Sequence, residues 1–427
     1  MSELGESPLA AGERSISVAD ARAAIAAALQ PITATETVPL LQAIGRVLAA
    51  DVVSPIDVPA HDNSAMDGYA FDGAALMSNE ETALRNVGIV YAGTPFAGRI
   101  GRGECLRIMT GAVMPEGLDT VVPQELCKVD GETVRIAAGV LKAGENRRQR
   151  GEDLALGKPA LRAGRVLRPA DVGLIASLGM GEISLFRRLR VALFSTGDEI
   201  RTLGQPLDPG CVYDSNRYSL QAALQRLGME VIDLGLVRDD PATLQATLEA
   251  AIAQADVVLT SGGVSVGDAD HTRAVLARMG EVSFWKVAMR PGRPFAFGPL
   301  FRSARGAGQP PSWLFALPGN PVAALVTFYA FARQALLQLA GATPTPPPML
   351  QARCAAPIRK RPGRTEFQRA IVEPAADGGW QVRLTGSQGA GVLRSMSEAN
   401  ALLVLRHEQG SVAAGDLVDC WLFDGLV

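Results

Sequence analysis

Residues 255–273, ADVVLTSGGVSVGDADHTR, narrow the choice of fold more than any other stretch. Val257, Val258 and Leu259 make a short, β-branched apolar run, which reads as a buried strand. The chain then breaks at Gly262-Gly263-Val264-Ser265-Val266-Gly267, and a helical pattern begins near Thr272. A strand that turns through a glycine loop into a helix presents backbone N–H groups to an anion. Asp268 and Asp270 follow the loop at once, and carboxylates there suit a hard cation such as Mg2+. The loop is neither GxxxxGK[ST] nor GxGxxG, which disfavours both a P-loop NTPase and a dinucleotide fold.

The flanking segments repeat the same plan. Strand 190–195 closes in Thr196-Gly197-Asp198-Glu199 and is followed by helix 215–227. Strand 230–235 leads through Arg238-Asp239-Asp240-Pro241 into helix 241–254. Strand 282–287 is interrupted by MRPGRPFAFG, and strand 313–317 enters Pro318-Gly319-Asn320-Pro321 and a long apolar helix, 321–340. Alternating strands and helices predict a parallel, doubly wound sheet. Its ligands belong beyond the carboxyl ends of the strands, where all these turns would meet.

Glu199, Asp239, Asp240, Asp268 and Asp270 therefore converge in the expected fold. Like charges repel, and such a group is stable mainly around a cation. Asp240, just before Pro241, reads equally well as a helix cap. Lys286, Arg290 and Arg293 add cations that suit a phosphate or another oxyanion. The Pro318, Gly319 and Asn320 turn offers free N–H groups for the same purpose. The three histidines, His61, His271 and His407, form no Ser/His/Asp or Cys/His pattern, which argues against covalent hydrolase chemistry.

Outside this unit, residues 17–30 predict an alanine-rich helix with Ser17 and Asp20 at capping-box spacing. A second helix is expected over 39–50, with Leu40, Leu41, Ile44, Val47 and Leu48 on one face. From 69 to 136 short β-type runs alternate with glycine and proline turns, a separate β-rich domain. A basic cluster, Arg147, Arg148 and Arg150, precedes Glu152 and Asp153. A proline-rich linker at 341–348 introduces a last small β domain, expected as a barrel.

The net charge of −3 gives no pull toward nucleic acid or membrane. Five cysteines without a CxxC argue against a zinc site or a disulfide framework and for a reducing compartment. The N-terminus lacks the apolar core of a signal peptide, and Arg333 and Gln338 interrupt the long helix, which reads as core rather than membrane span. The expectation is a soluble cytoplasmic protein.

The blocks NSAMDGYA (63–70), RIMTGA (107–112), FSTGDE (194–199), GQPL (204–207), YDSNR (213–217), LGLVRDDP (234–241), SGGVSVGDAD (261–270), FWKVAMRPGRPFAFG (284–298) and LPGNP (317–321) stand in this order. Together they resemble the molybdopterin molybdenumtransferase family, to which the E domain of gephyrin is similar. The resemblance implies an elongated homodimer. Each subunit would be a multidomain α/β protein with four parts: a discontinuous linker domain (1–57 and 147–183), a β-rich domain (58–146), a molybdopterin-binding α/β domain (184–340) and a C-terminal β-barrel-like domain (349–427). The implied reaction takes adenylylated molybdopterin and molybdate to molybdenum cofactor and AMP, with Mg2+.

By the same resemblance, Glu199, Asp239 and Asp270 would hold the metal, and Lys286 and Arg290 the molybdate or phosphate. Gly262, Gly263, Ser265, Gly267, Pro318, Gly319 and Asn320 would line the pterin and phosphate site. Asp67, Thr110 and Asp153 would complete the cleft, Asp67 and Thr110 reaching it from the partner subunit. Arg364 and Ser387, in GRTEF and GSQG, would be the C-terminal domain's share of an oxyanion pocket. The molybdopterin adenylyltransferase and molybdoenzyme maturation proteins would be its protein partners. Arg290 and Arg293 stand where the family suggests Lys, so the charge is kept but a planar fork replaces a point charge. Two other readings fit parts of the pattern: a non-catalytic molybdopterin-binding scaffold, and a related nucleotidyl-transfer enzyme.

Overall fold

The computed structural model describes residues 13–263, 269–301 and 310–423. A seven-stranded sheet carries the glycine loop. Its spatial order is Glu13–Ile16, Ser283–Val287, Pro294–Leu300, Ser312–Leu317, Val257–Ser261, Arg190–Thr196 and Glu230–Val237. The central strands Val257–Ser261 and Arg190–Thr196 are buried almost throughout, as the β-branched run requires. Helices Asn216–Arg226, Pro241–Gln254 and Ala269–Met279 follow their strands as expected.

Two features depart from the expected parallel sheet. The FAFG stretch, read as part of a turn, forms strand Pro294–Leu300, which runs antiparallel to both neighbours. The connection is too short for a crossover, so the chain reverses and Val287 N–H bonds the Arg293 carbonyl at 2.8 Å. The N-terminal segment also adds Glu13–Ile16 as a parallel edge strand, pairing Ser15 with Lys286.

The apolar helix after LPGNP runs from Pro321 to Leu339, with a π-turn at Phe328–Ala332. It is long and apolar enough to cross a membrane by length and composition, but 72% of it is buried inside the protein. Phe328 and Phe331 are wholly enclosed, and Phe331 stacks on Phe295 at 5.1 Å. Arg22, on helix Val18–Ala28, donates Nε to the Ala330 carbonyl in the π-turn and lies 4.9 Å over the Trp421 ring. This arginine links the N-terminal helix, the sheet unit and the C-terminal domain.

The predicted helix over 39–50 does not form. Thr35–Pro39 is instead a strand paired with Glu182–Phe186, and only Leu40–Gln42 makes a 3-10 turn. Leu41 is 90% exposed and Ile44 50% exposed, so the supposed apolar face is not buried. Gly45, at φ +72°, turns the chain out of any helical path. Val47 and Leu48 reach the core through bridges to Val166 and Leu185.

Three short pairings then run outward: Thr35–Pro39 with Glu182–Phe186, Val52–Val53 with Pro159–Leu161, and Asn63–Ser64 with Arg147–Arg148. The chain leaves and returns along one ladder, and its core (Val38, Leu48, Leu161, Ile175, Leu185) draws on both passes. Between the passes lies a six-stranded β unit, ordered Thr120–Pro123, Gly68–Phe71, Glu104–Ile108, Thr82–Val90, Thr133–Ile136 and Cys127–Asp130.

The C-terminal strands close into a five-stranded barrel. The order is Thr365–Pro374, Trp380–Leu384, Leu350–Cys354, Leu417–Leu422 and Ala401–Leu405, which pairs back to the first. Met289–Arg290 pairs outside it, in parallel with Thr365 and Glu366.

Candidate functional site

The glycine loop leaves the sheet where three strands end side by side. Gly262, at φ +95°, donates its N–H to the Leu317 carbonyl at 3.1 Å. A β-carbon there would stand 2.2 Å from the Thr196 carbonyl oxygen, and one on Gly263 would stand 2.9 Å from the Thr196 Cγ2. The approach of loop to strand end therefore demands glycine. Gly319 faces Gly262 so closely that a β-carbon on it would touch the Gly262 Cα at 3.7 Å. Gly262, Gly263, Pro318 and Gly319 thus form one edge, with Asn320 at the N-cap position of the helix that begins at Pro321, its side chain making no cap bond. Ser265 and Gly267 lie outside the described residues.

A side chain at the start of helix Asn216–Arg226 ties this edge together. Asn216 Nδ2 donates to Ser261 Oγ at 2.7 Å and to the Gly319 carbonyl at 2.6 Å. Ser261 Oγ passes a hydrogen bond on to the Pro318 carbonyl at 3.2 Å. The Gly319 carbonyl can only accept, so the amide nitrogen must face it. The YDSNR block held the signal, but its partners lie 45 and 103 residues away.

The acids divide. Asp239 accepts a hydrogen bond from the Thr196 hydroxyl, and Glu199 folds back so that its Oε2 lies 2.7 Å from where a Gly197 β-carbon would be. Both thus sit against the end of Arg190–Thr196. Asp240 is a helix cap, accepting from Thr243 N–H at 2.9 Å, and those bonds to Thr243 hold its carboxyl below the usual range. Asp270 lies on helix Ala269–Met279, and its side chain, like all of Asp268, is outside the described residues. Among the described residues no three His, Cys, Asp or Glu side chains group in a way that could hold a metal ion.

One of the cations meets the barrel. Lys286 lies on Ser283–Val287, and Arg290 pairs with Glu366 at the start of the barrel's longest strand. The turn between them and the next strand is pinned by Gly292 at φ +94°, where a β-carbon would strike Thr327 Oγ1. Arg364 bonds Glu366 through Nε at 2.8 Å; Glu366 is buried, and Arg364 is 41% exposed. Ser387 lies in the loop after strand Trp380–Leu384, where its carbonyl accepts from Arg369 at 3.2 Å.

Asp67 and Thr110 also meet, in the β-rich unit. Thr110 donates both its N–H and its Oγ1 to Asp67 Oδ1, each at 2.7 Å. These bonds, the hydroxyl's first, hold the Asp67 carboxyl below the ordinary range, and Arg107 adds to the effect. Asp153 sits in an exposed turn, its N–H bonded to the Val58 carbonyl at 3.1 Å. The neighbouring arginines are committed to ion pairs: Arg147 with Asp62, Arg148 with Glu152 and Arg150 with Asp57.

Residues 16–179 match the family described as "MoeA N-terminal region (domain I and II)". Residues 192–338 match "Probable molybdopterin binding domain", and residues 351–423 match "MoeA C-terminal region (domain IV)". The chain is 40% identical over 396 residues to a protein of Haemophilus influenzae named molybdopterin molybdenumtransferase, covering 92% of this chain and 95% of that one. A protein of the same name from Nostoc is 37% identical, covering 89% and 87%. Among solved structures, the molybdopterin biosynthesis moeA protein from Pyrococcus horikoshii OT3 superposes with a TM-score of 0.80 at 27% identity, over 96% of this chain and all of that one. The three matched segments, in order and with little left between them, lead to one conclusion: the chain belongs to the molybdopterin molybdenumtransferase family of enzymes.

Proposed function

We propose that the chain inserts molybdate into adenylylated molybdopterin, giving molybdenum cofactor and AMP, with Mg2+ as its metal. The observation that carries this reading is the pairing of Met289–Arg290 with Thr365 and Glu366. It brings a cation from the α/β unit to the barrel strand that begins just after Arg364. The relatives' name supplies the substrate class.

In this reading Lys286, Arg290 and Arg364 hold molybdate, the two arginines offering planar donor forks to its oxygens. The Gly262–Gly263 and Pro318–Asn320 edge, with Ser265 and Gly267, receives the phosphate end of the pterin substrate through its backbone N–H groups other than that of Gly262, which bonds the Leu317 carbonyl. Ser387 completes the oxyanion pocket. Glu199, Asp239 and Asp270 hold Mg2+; a donor set of carboxylate oxygens suits that hard cation. Bound there, Mg2+ would supply charge neutralisation at the phosphate. Asp67, kept ionised by Thr110, and Asp153 close the cleft, Asp67 and Thr110 acting across a homodimer. The protein works in the cytoplasm, receiving its substrate from the adenylyltransferase and passing its product to molybdoenzyme maturation proteins.

Lys286→Ala tests the assignment. The half-saturating molybdate concentration should rise about tenfold, the scale of one charge-assisted contact, while pterin binding changes little. An equal loss of both affinities would remove Lys286 from the oxyanion pocket.

A further inference from the structure

Arg369 is one of the most deeply enclosed large side chains in the protein, at 0% exposure. Buried arginines ordinarily sit against a carboxylate, yet its bonds among the described residues go elsewhere. Its Nε donates to Ser395 Oγ at 3.0 Å. Its terminal nitrogens donate to three consecutive carbonyls: Ser387 at 3.2 Å, Gln388 at 3.2 Å and Gly389 at 2.9 Å. The next carbonyl, Ala390, accepts the Val322 N–H at 3.0 Å, from the first turn of the helix that follows Pro318–Asn320. One loop is thus clamped from two sides, by the barrel through Arg369 and by the α/β unit through Val322.

The direction of the clamp has a consequence. In a trans peptide the C=O and the following N–H point opposite ways. Three carbonyls drawn toward Arg369 therefore turn the N–H groups of Gln388, Gly389 and Ala390 away from it. The guanidinium also retains its charge without a bonded carboxylate, near Arg290. Burial first, and then the Arg290 charge, push the Arg369 pKa down to about 10, so it stays protonated at neutral pH.

We propose that Arg369 is a positioning residue. It fixes the 387–390 loop so that the loop's outward amides and Ser387 present a preformed donor surface to the tetrahedral oxyanion substrate. This rests on the reading of Arg290, Arg364 and Ser387 as an oxyanion pocket. Lysine keeps the charge, but its single ammonium offers three donors from one point, whereas the guanidinium spreads four bonds, to Ser395 and to the three carbonyls, over three nitrogens of a planar fork.

The test uses the full-length protein with Arg369→Lys and, as the milder variant, Ser395→Ala. Two quantities are measured: amide hydrogen exchange at residues 387–391 without substrate, and KM for molybdate and for the pterin substrate separately. For Arg369→Lys the account expects faster exchange in the loop, and a molybdate KM raised about tenfold with the pterin KM within about twofold. Ser395→Ala should move both readouts the same way by less, and it remains informative if Arg369→Lys fails to fold. Unchanged exchange in a folded Arg369→Lys, or in Ser395→Ala if the lysine variant fails to fold, overturns the clamp. Faster exchange with equal rises in both KM values shows a merely structural arginine and overturns the positioning role. If the wild type itself shows no molybdate-dependent turnover, the proposed function fails and the oxyanion role of Arg369 falls with it, while the exchange result still decides the clamp.

Discussion

Gly262→Ala is the sharpest local perturbation of the loop edge. Two costs combine. The φ of +95° lies where an L side chain is strained, at about 1–2 kcal/mol. The new β-carbon would also stand 2.2 Å from the Thr196 carbonyl oxygen and 3.3 Å from its carbon, both backbone atoms of a buried central strand that cannot swing aside. Overpacking of this kind costs about 1–3 kcal/mol. The sum is roughly 2–5 kcal/mol, or on the order of 10 °C in Tm for a unit of this size. Gly235→Ala is the control. Gly235 lies on the neighbouring strand Glu230–Val237 with φ +75°, but a β-carbon there meets nothing within 4 Å. It should lose only the φ term, about 1–2 kcal/mol. Thermal melts of both variants, followed on the α/β unit by hydrogen exchange, separate the terms. If Gly262→Ala is no worse than Gly235→Ala, the close approach of loop to strand end is not what requires glycine.

Thr110→Val removes the hydroxyl that most depresses the Asp67 pKa. The sign follows directly: a depressed carboxyl contributes stability above the unfolded Asp pKa and loses it as pH falls through the lower folded value. The variant should therefore shift the Asp67 titration, followed by NMR, to higher pH, and the acidic limb of activity should move with it; an unmoved titration would rule out the hydroxyl as the cause. Asp256→Asn breaks the bidentate pair with Arg187, both bonds 2.7 Å, at the opposite edge of the sheet. Burial opposes the Asp256 charge, but Arg187 and the Arg190 N–H more than offset it and keep the carboxyl low. The substitution should cost about 2 kcal/mol, discounted for partial exposure, in denaturant unfolding, with pterin binding intact. A loss of binding at unchanged stability would contradict a structural role.

Much of the central sheet was legible because its signals are local. The run Val257–Ser261, its glycines and the capping residues Ser17 and Asp240 each declare themselves within a few positions. The misread helix over 39–50 shows where periodicity fails. Leu40, Val47 and Leu48 are buried in the linker core, and partners near residue 166 and over 182–186 decide their conformation. The antiparallel Pro294–Leu300 was hidden by the prolines and glycines before it. At the site, Lys286, Arg290 and the glycines are conspicuous by charge and backbone freedom. Arg369 and Asn216 are not, because their roles lie in contacts with loops that only the folded chain brings near.

The most direct test of the central claim is AMP release from adenylylated molybdopterin in the presence of Mg2+, with and without molybdate. The account predicts AMP release that depends on molybdate, with metal-loaded pterin as the other product. Tight pterin binding with no molybdate-dependent release of AMP would contradict it.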